Sequence, residues 1–254
     1  MQTAERVSAQ DLSDNFVFQR SVLAYVEAAK IIGGNVLEIG YGEGYGVKHL
    51  AGKADSYLGI DKYPSPAHEK EFPGNVKVRI MNVPPLEGIA DNSIDFVVSF
   101  QVIEHIENDE LYAKEIARVL KPGGKFILTT PNIKMSITRN PWHVREYTVD
   151  ELKNMLLKYF SSVDSNGVFG NEKIMTYYNK NKESVREITR FDIFNLQYRL
   201  PRWMLQAPYD YLNRRNRKKL LNQNDSLVAN IKMEDYFVGA AKDDCFDLFY
   251  IATK

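Results

Sequence analysis

A short apolar run, Asn35-Val-Leu-Glu-Ile39, gives way to a glycine at every second residue, Gly40-Tyr-Gly-Glu-Gly44, and then to a helical pattern from Tyr45 to Ala51. No other stretch of the chain restricts its fold as much. The run suits a strand covered on both faces. Glycines at its end let the backbone turn tightly and come within contact distance of a ligand, and the helix start behind them offers unpaired N–H groups. A strand, loop and helix of this kind cradles a nucleotide or an amino-acid carboxylate.

The rest of the chain repeats the alternation. Phe18, Val22, Tyr25, Val26 and Ala29 recur at helical spacing and stop at Gly33-Gly34, so a helix leads into the first strand. Ser56-Tyr-Leu-Gly-Ile60, Val76-Lys-Val-Arg-Ile80 and Ser93-Ile-Asp-Phe-Val-Val-Ser-Phe100 read as the next strands. Leu111, Ile116, Val119 and Leu120 mark a helix from Asp109 to Leu120 that ends at Lys121-Pro-Gly-Gly124, before a fifth strand, Lys125 to Thr130. Thr148 with Glu151 three residues on predicts a capping box at the start of a helix to Leu157. Strands follow at Ser162 to Phe169 and Phe246 to Ile251. The expected fold is α/β: a doubly wound, mainly parallel, Rossmann-like sheet of seven strands. About seventy residues separate the last two strands, far more than a connection needs, which predicts a helical insertion there. The sequence thus divides into a cofactor-binding domain, 1–169 with 244–254, and an inserted region, 170–243, expected to bind or cover the acceptor.

The glycine spacing bears on the ligand. A dinucleotide fingerprint needs glycine at positions 1, 3 and 6, but counting from Gly40, Gly42 or Gly44 the sixth residue is Tyr45, Val47 or His49. That weakens a nicotinamide reading. Asp61 ends the second strand about twenty residues after Gly40, where an acid can accept hydrogen bonds from both ribose hydroxyls.

Val36-Leu-Glu-Ile-Gly-Tyr-Gly-Glu-Gly44, Gly59-Ile-Asp61, Asp95-Phe-Val-Val-Ser-Phe-Gln-Val-Ile-Glu-His-Ile106 and Arg118-Val-Leu-Lys-Pro-Gly-Gly124 together resemble the successive motifs of class I methyltransferases. The similarity is to the group that includes ubiquinone-biosynthesis and related small-molecule methyltransferases, over about the first two-thirds of the chain. The resemblance implies S-adenosylmethionine as cofactor and S-adenosylhomocysteine as product. At matching positions it implies that Glu38, Gly40, Tyr41, Gly42 and Gly44 line the methionine and ribose side and that Asp61 holds the ribose. It places Lys62 and Tyr63 against the adenosine, Asn82 and Val83 beside the adenine, and Phe100 and Gln101 beside the sulfonium. Where the family often has aspartate, Asn82 would offer an amide oxygen instead.

Methyl transfer is an in-line displacement, so the protein has mainly to align acceptor and methyl, exclude water, and remove a proton where the acceptor is a hydroxyl or amine. His105 follows the fourth strand, and His143 lies in Asn140-Pro-Trp-His-Val-Arg-Glu-Tyr147 after the fifth. Both loops open on one side of the sheet, and an imidazole has a suitable pKa for a base. Each histidine is a candidate catalytic residue; the alternative is that they only brace their loops. Glu104 and His105 resemble part of the acidic-histidine cluster of ubiquinone-pathway O-methyltransferases, but Gln101 stands where that cluster has a glutamate, and no metal is expected. His49 and His68 suggest no role.

The chain carries 33 basic and 33 acidic residues, which excludes a polyelectrolyte that coats nucleic acid or membranes. Any charged partner must meet a local patch. In the insertion, aromatics interleave with Arg190, Arg199 and Arg202, ahead of Arg214-Arg-Asn-Arg-Lys-Lys219. That patch implies an anionic neighbour: an acidic small-molecule acceptor, anionic lipid headgroups, or RNA. Phe100-Gln-Val-Ile103 in place of an Asn-Pro-Pro-Tyr type motif counts against amino-group methylation of nucleic acid. The expectation is a small-molecule acceptor, with an RNA or protein substrate, or a non-catalytic cofactor-binding partner, as alternatives. The single Cys245, the lack of a signal pattern over Met1 to Asp14 and the lack of a long apolar run predict a cytoplasmic protein without a transmembrane segment.

Overall fold

In a computed structural model, which describes residues 7–63 and 72–254, eight strands form one sheet in the order β3-β2-β1-β4-β5-β8-β6-β7. The strands are β1 Asn35–Ile39, β2 Ser56–Asp61, β3 Val76–Ile80, β4 Ile94–Phe100, β5 Leu120–Pro131, β6 Ser162–Gly170, β7 Tyr236–Ala240 and β8 Asp247–Thr253. Pairs among β1 to β5 are parallel, whereas β8 runs antiparallel between β5 and β6. Strand order reverses at β1 and β4, so the crevice of a doubly wound sheet opens beyond Ile39 and Phe100.

The helices are α1 Asn15–Ala29, α2 Val47–Leu50, α3 Asp109–Val119, α4 Val149–Leu156, α5 Glu172–Thr189, α6 Leu196–Arg199, α7 Arg202–Gln223 and α8 Asp225–Ala229. One sheet face packs against α3 and α4: Tyr112, Ala113 and Ile116 turn inward with Leu152 and Leu156, while Leu111 faces out. Thr148 and Glu151 form the expected capping box of α4. The other face is covered by α1 and α2 together with α5, α7 and α8, whose Ile174, Tyr177, Leu220 and Val228 share one apolar cluster with Phe16 and Leu23. Leu37, Val97 and Ile127 are fully buried, as the apolar runs require.

Two features differ from the sequence reading. The sheet has eight strands rather than seven, because Tyr236–Ala240 pairs antiparallel with β6 from Asn166 to Gly170. Its two exposed positions, Phe237 and Ala240, blur the alternation that would mark a strand, and the pairing comes from docking at the sheet edge. Lys121-Pro-Gly-Gly124 lies inside β5, not before it: α3 runs directly into the strand, with an irregular register against β4 between Ile94 and Phe96.

The N-terminal segment is clasped to the insertion. Asp14, fully buried at the start of α1, accepts hydrogen bonds from Arg214 at 2.8 Å and Arg217 at 2.6 Å on α7. A carboxylate can be buried at this point because two guanidinium groups replace its water. Asp14→Asn would remove the buried carboxylate that both arginines share and is expected to destabilise the fold by about 3 kcal/mol, measured by urea denaturation.

Candidate functional site

The β1 to α2 turn hugs the sheet edge. Gly40 N–H donates to Ile60 O at 2.7 Å, with φ +82°, and a Cβ there would lie 2.4 Å from Val102 Cγ2. Only glycine fits both the conformation and the space. Gly42 and Gly44 also have positive φ, which keeps the loop backbone open toward the crevice. The Tyr41 ring is buried over Gly59, so only its backbone belongs to the loop.

Glu38 is the chemically distinctive residue here. It is 1% exposed; Oε1 accepts from the Tyr25 hydroxyl at 2.7 Å, and Oε2 has no hydrogen-bond partner among the described residues. Burial pushes its carboxyl up to about 7, opposed by the Tyr25 hydrogen bond and reinforced by the charge of Asp61. An orphaned, desolvated carboxylate oxygen below a glycine loop suits a cationic group, such as the ammonium of a methionine moiety. Asp61 accepts from Gly42 N–H at 3.0 Å and Tyr63 N–H at 3.0 Å, which fixes its carboxylate beside the glycine loop, where the sequence expects the ribose. These residues fit S-adenosylmethionine.

The remaining expected cofactor residues occupy the same edge. Lys62 is exposed, with its ammonium 4.9 Å from the Tyr63 ring centre. Asn82 is exposed after β3, and Val83 packs against the core. Phe100 is buried edge-on to Tyr25, with centroids 4.9 Å apart. Gln101 has φ +56°, a conformation costly for a side chain, and is held by Gln101 N–H to Thr129 O at 2.9 Å and by its amide to Thr129 Oγ1 at 3.2 Å.

His105 and His143 meet as the sequence suggested, with ring centroids 5.0 Å apart and nearly perpendicular. His105 Nδ1 contacts Trp142 O at 3.0 Å. His143 Nδ1 lies 2.6 Å from Glu146 Oε1 and its Nε2 lies 2.8 Å from Asn140 Nδ2. Buried Glu104 accepts from Thr130 Oγ1 at 2.9 Å. Glu104, His105 and His143 bring one ligand-type atom each to within 4.8 Å of one another and are the residues that would hold a cation, although both His143 nitrogens are already engaged.

Beside them, a cavity of about 610 Å³ opens between α1, the loop from 131 to 146, α5, the α5–α7 connection and α7. That is the size of a small-molecule site. His143 and Glu146 line it, with Arg20, Arg139 and Arg217. The loop is tied to the insertion by Thr138 Oγ1 to Gln197 Oε1 at 2.5 Å and Trp142 Nε1 to Asp210 at 2.9 Å.

Three residues here had no functional signal in the sequence. Tyr25 appeared there only as part of an apolar stripe. Arg20 and Asp247 pair at 2.9 Å, and Arg20 lines the cavity. Asp247 is buried at the start of β8; burial pushes its carboxyl up, opposed by Arg20 and the Gln101 amide. The pair therefore joins the cavity wall to the end of β4. The basic run also needs correction: the anionic neighbour of Arg214 and Arg217 is Asp14 of the same chain, and Lys219 pairs with Glu187 at 3.1 Å. Of that run, Arg215, Lys218 and the Glu187-paired Lys219 are exposed while Arg214 and Arg217 turn inward, because helical spacing sends its members to different sides. His68 lies outside the described residues, and His49 stacks on Tyr25.

Residues 37–128 match the Methyltransferase domain family. A Mycolicibacterium smegmatis protein described as a probable S-adenosylmethionine-dependent methyltransferase is 31% identical, over 99% of this chain and 94% of that one. A ubiquinone biosynthesis O-methyltransferase of Xanthomonas oryzae is 31% identical over 43% of this chain and 48% of its own. The structure of an S-adenosylmethionine-dependent methyltransferase from Thermotoga maritima shares the fold, with a TM-score of 0.57 at 16% identity, covering 94% of this chain and 92% of that one. The chain belongs to the S-adenosylmethionine-dependent methyltransferases, and is an enzyme that takes its methyl group from that cofactor. The non-catalytic alternative is thereby set aside.

Glu38 makes cofactor binding and stability depend on pH in opposite senses. The unfolded chain releases this proton near 4.5 and the folded chain near 7, so stability contributed by Glu38 is full below 4.5 and is lost as pH rises to 7. A cationic ligand requires the ionised form. Cofactor affinity measured by calorimetry should therefore rise with pH up to about 7 and then level off, while Glu38→Gln should bind more weakly with no such rise.

Proposed function

We propose that this enzyme works in the cytoplasm and methylates a hydroxyl of a small acceptor, lipid-linked or glycan-derived and anionic, whose apolar body fills the cavity against Phe16, Tyr177 and Leu212. The observation that carries this reading is the cavity itself, which has hydrophobic walls and one wall bearing the His143–Glu146 pair. Arg139 on the same walls, whose guanidinium donates to the Gln197 carbonyl and not to a carboxylate in that bond, suits an acidic acceptor. The region 170–243 acts as the acceptor-binding and covering unit: it supplies α5 and α7 to the cavity and holds the 131–146 loop in place.

S-adenosylmethionine, when bound, supplies an electrophilic methyl group on a sulfonium. Glu38, the Gly40–Gly44 loop and Asp61 hold it, with Lys62, Asn82 and Val83 along the nucleoside side and Phe100 and Gln101 at the reacting end. The Arg20–Asp247 pair fixes the cavity wall nearest Gln101. His143 is the general base: Glu146 receives Nδ1–H and orients the ring, so that Nε2 takes the acceptor's proton once the hydroxyl displaces the Asn140 amide. His105, wedged edge-on to that ring and held by Trp142 O, positions it.

With methyl-labelled cofactor and fractionated cell extract, label should enter the lipid or glycan fraction. Label confined to RNA or protein would overturn the acceptor class. His143→Ala is expected to lower kcat by roughly 10²- to 10⁴-fold with cofactor affinity unchanged. An unaltered kcat, read by the same labelling assay on the purified acceptor, would remove His143 as the base.

A further inference from the structure

The α5–α7 connection and the outer side of α7 expose large apolar side chains to an extent unmatched elsewhere among the described residues: Phe191 73%, Ile193 76%, Phe194 64%, Trp203 73% and Tyr211 66%. A scattered exposed leucine is ordinary, but five such residues within 21 positions of one segment are not. Helical spacing puts Trp203, Ala207, Tyr211, Arg215 and Lys218 on one side of α7, and all five are exposed. That side is apolar over its first half and cationic over its second. Arg190 and Arg199 are exposed beside the connection, with the Arg190 guanidinium 4.7 Å from the Phe191 ring centre.

The acids nearby are engaged in holding structure together. Asp192 accepts from the N–H groups of Leu196 and Gln197, Asp210 accepts from Trp142, and Glu187 pairs with Lys219. An apolar tip flanked by cations, in a chain whose total charge is zero, matches an anionic lipid surface. The exposed rings could also stack RNA bases, but Ile193, Leu196 and Met204 add aliphatic surface that a bilayer interface uses and a stacking platform does not.

Two of these exposed residues, Phe191 and Phe194, also form the outer wall of the cavity together with Leu196 and Leu200. A surface resting there would meet the cavity wall directly.

We propose that the α5–α7 connection is a membrane-docking surface, on which Ile193, Trp203 and Tyr211 enter the interface of an anionic bilayer while Arg199, Arg215 and Lys218 contact its headgroups. It rests on the reading of the cavity as the acceptor site only for what the bilayer would deliver, a lipid-linked acceptor passing through the outer wall. Docking is measured without cofactor or acceptor, so its failure and that of the acceptor reading are separable.

The test is co-sedimentation of the full chain with vesicles of phosphatidylcholine alone or mixed with phosphatidylglycerol. The chain should pellet with the mixed vesicles, at least roughly tenfold more weakly with the neutral ones, and less as salt is raised. Ile193→Ser/Trp203→Ser/Tyr211→Ser, chosen outside the cavity lining, should melt like the parent and lose vesicle binding about tenfold or more. Arg215→Ser/Lys218→Ser should lose the preference for phosphatidylglycerol only in part. Three results would each overturn the proposal: a parent chain that stays in the supernatant, an apolar variant that pellets as well as the parent, or binding to an RNA oligonucleotide in place of vesicles. So would a dimer of the parent that the apolar variant dissociates without any vesicle binding, since the patch would then cover a second copy.

Discussion

Coverage of both faces of the central strands governs the rest of this molecule. With β1 and β4 sealed between α1 and α2 on one side and α3 and α4 on the other, backbone and side chains can meet a ligand only where those strands end. Glu38 is caught at that boundary. It is buried like its apolar neighbours, carries a carboxyl that water no longer solvates, and has one oxygen hydrogen-bonded to Tyr25 and the other without a hydrogen-bond partner among the described residues. The tight turn at Gly40, pressed against Val102 and bonded to Ile60, is what brings the loop backbone over it.

The insertion is joined to this frame at several points and is not an appendage. Its helices share an apolar cluster with α1, its last strand extends the sheet, and Asp14 draws two of its arginines inward. Its contacts with Thr138 and Trp142 hold the loop that presents His143. The end of β4 and the cavity wall are then connected through Arg20, Asp247 and Gln101. An enzyme of this class needs that arrangement, because donor and acceptor must be aligned by separate surfaces that stay fixed relative to each other.

The strand-end loops proposed for the cofactor were legible in the chain because they are local. Gly40 to Gly44, Asp61 and Gln101 lie at strand ends, and strand ends can be read from apolar runs and turn residues. The approach of His105 to His143 was also foreseeable, since both follow strands that end on the same edge. The ring of Tyr41, a residue expected on the methionine and ribose side, packs on Gly59, a contact that no local pattern announces. The alternation of strand β7 was blurred by the exposure of Phe237, and the edge of β6 decided its conformation.

Sequence alone therefore determined the doubly wound core, the methyl donor and the tight glycine turn that ends β1, since periodicity and turn chemistry act over a few residues. Only the tertiary structure decided the fate of charge and the shape of the acceptor space. Arg214 and Arg217 look like a free basic patch until both are seen to converge on Asp14, 200 positions away from Arg214. Arg20 meets Asp247 in the same way, and the cavity is bounded by α1, α5, α7 and a loop that are distant along the chain. Pairings of that range depend on which surfaces pack together, and packing brings together residues that no local pattern relates.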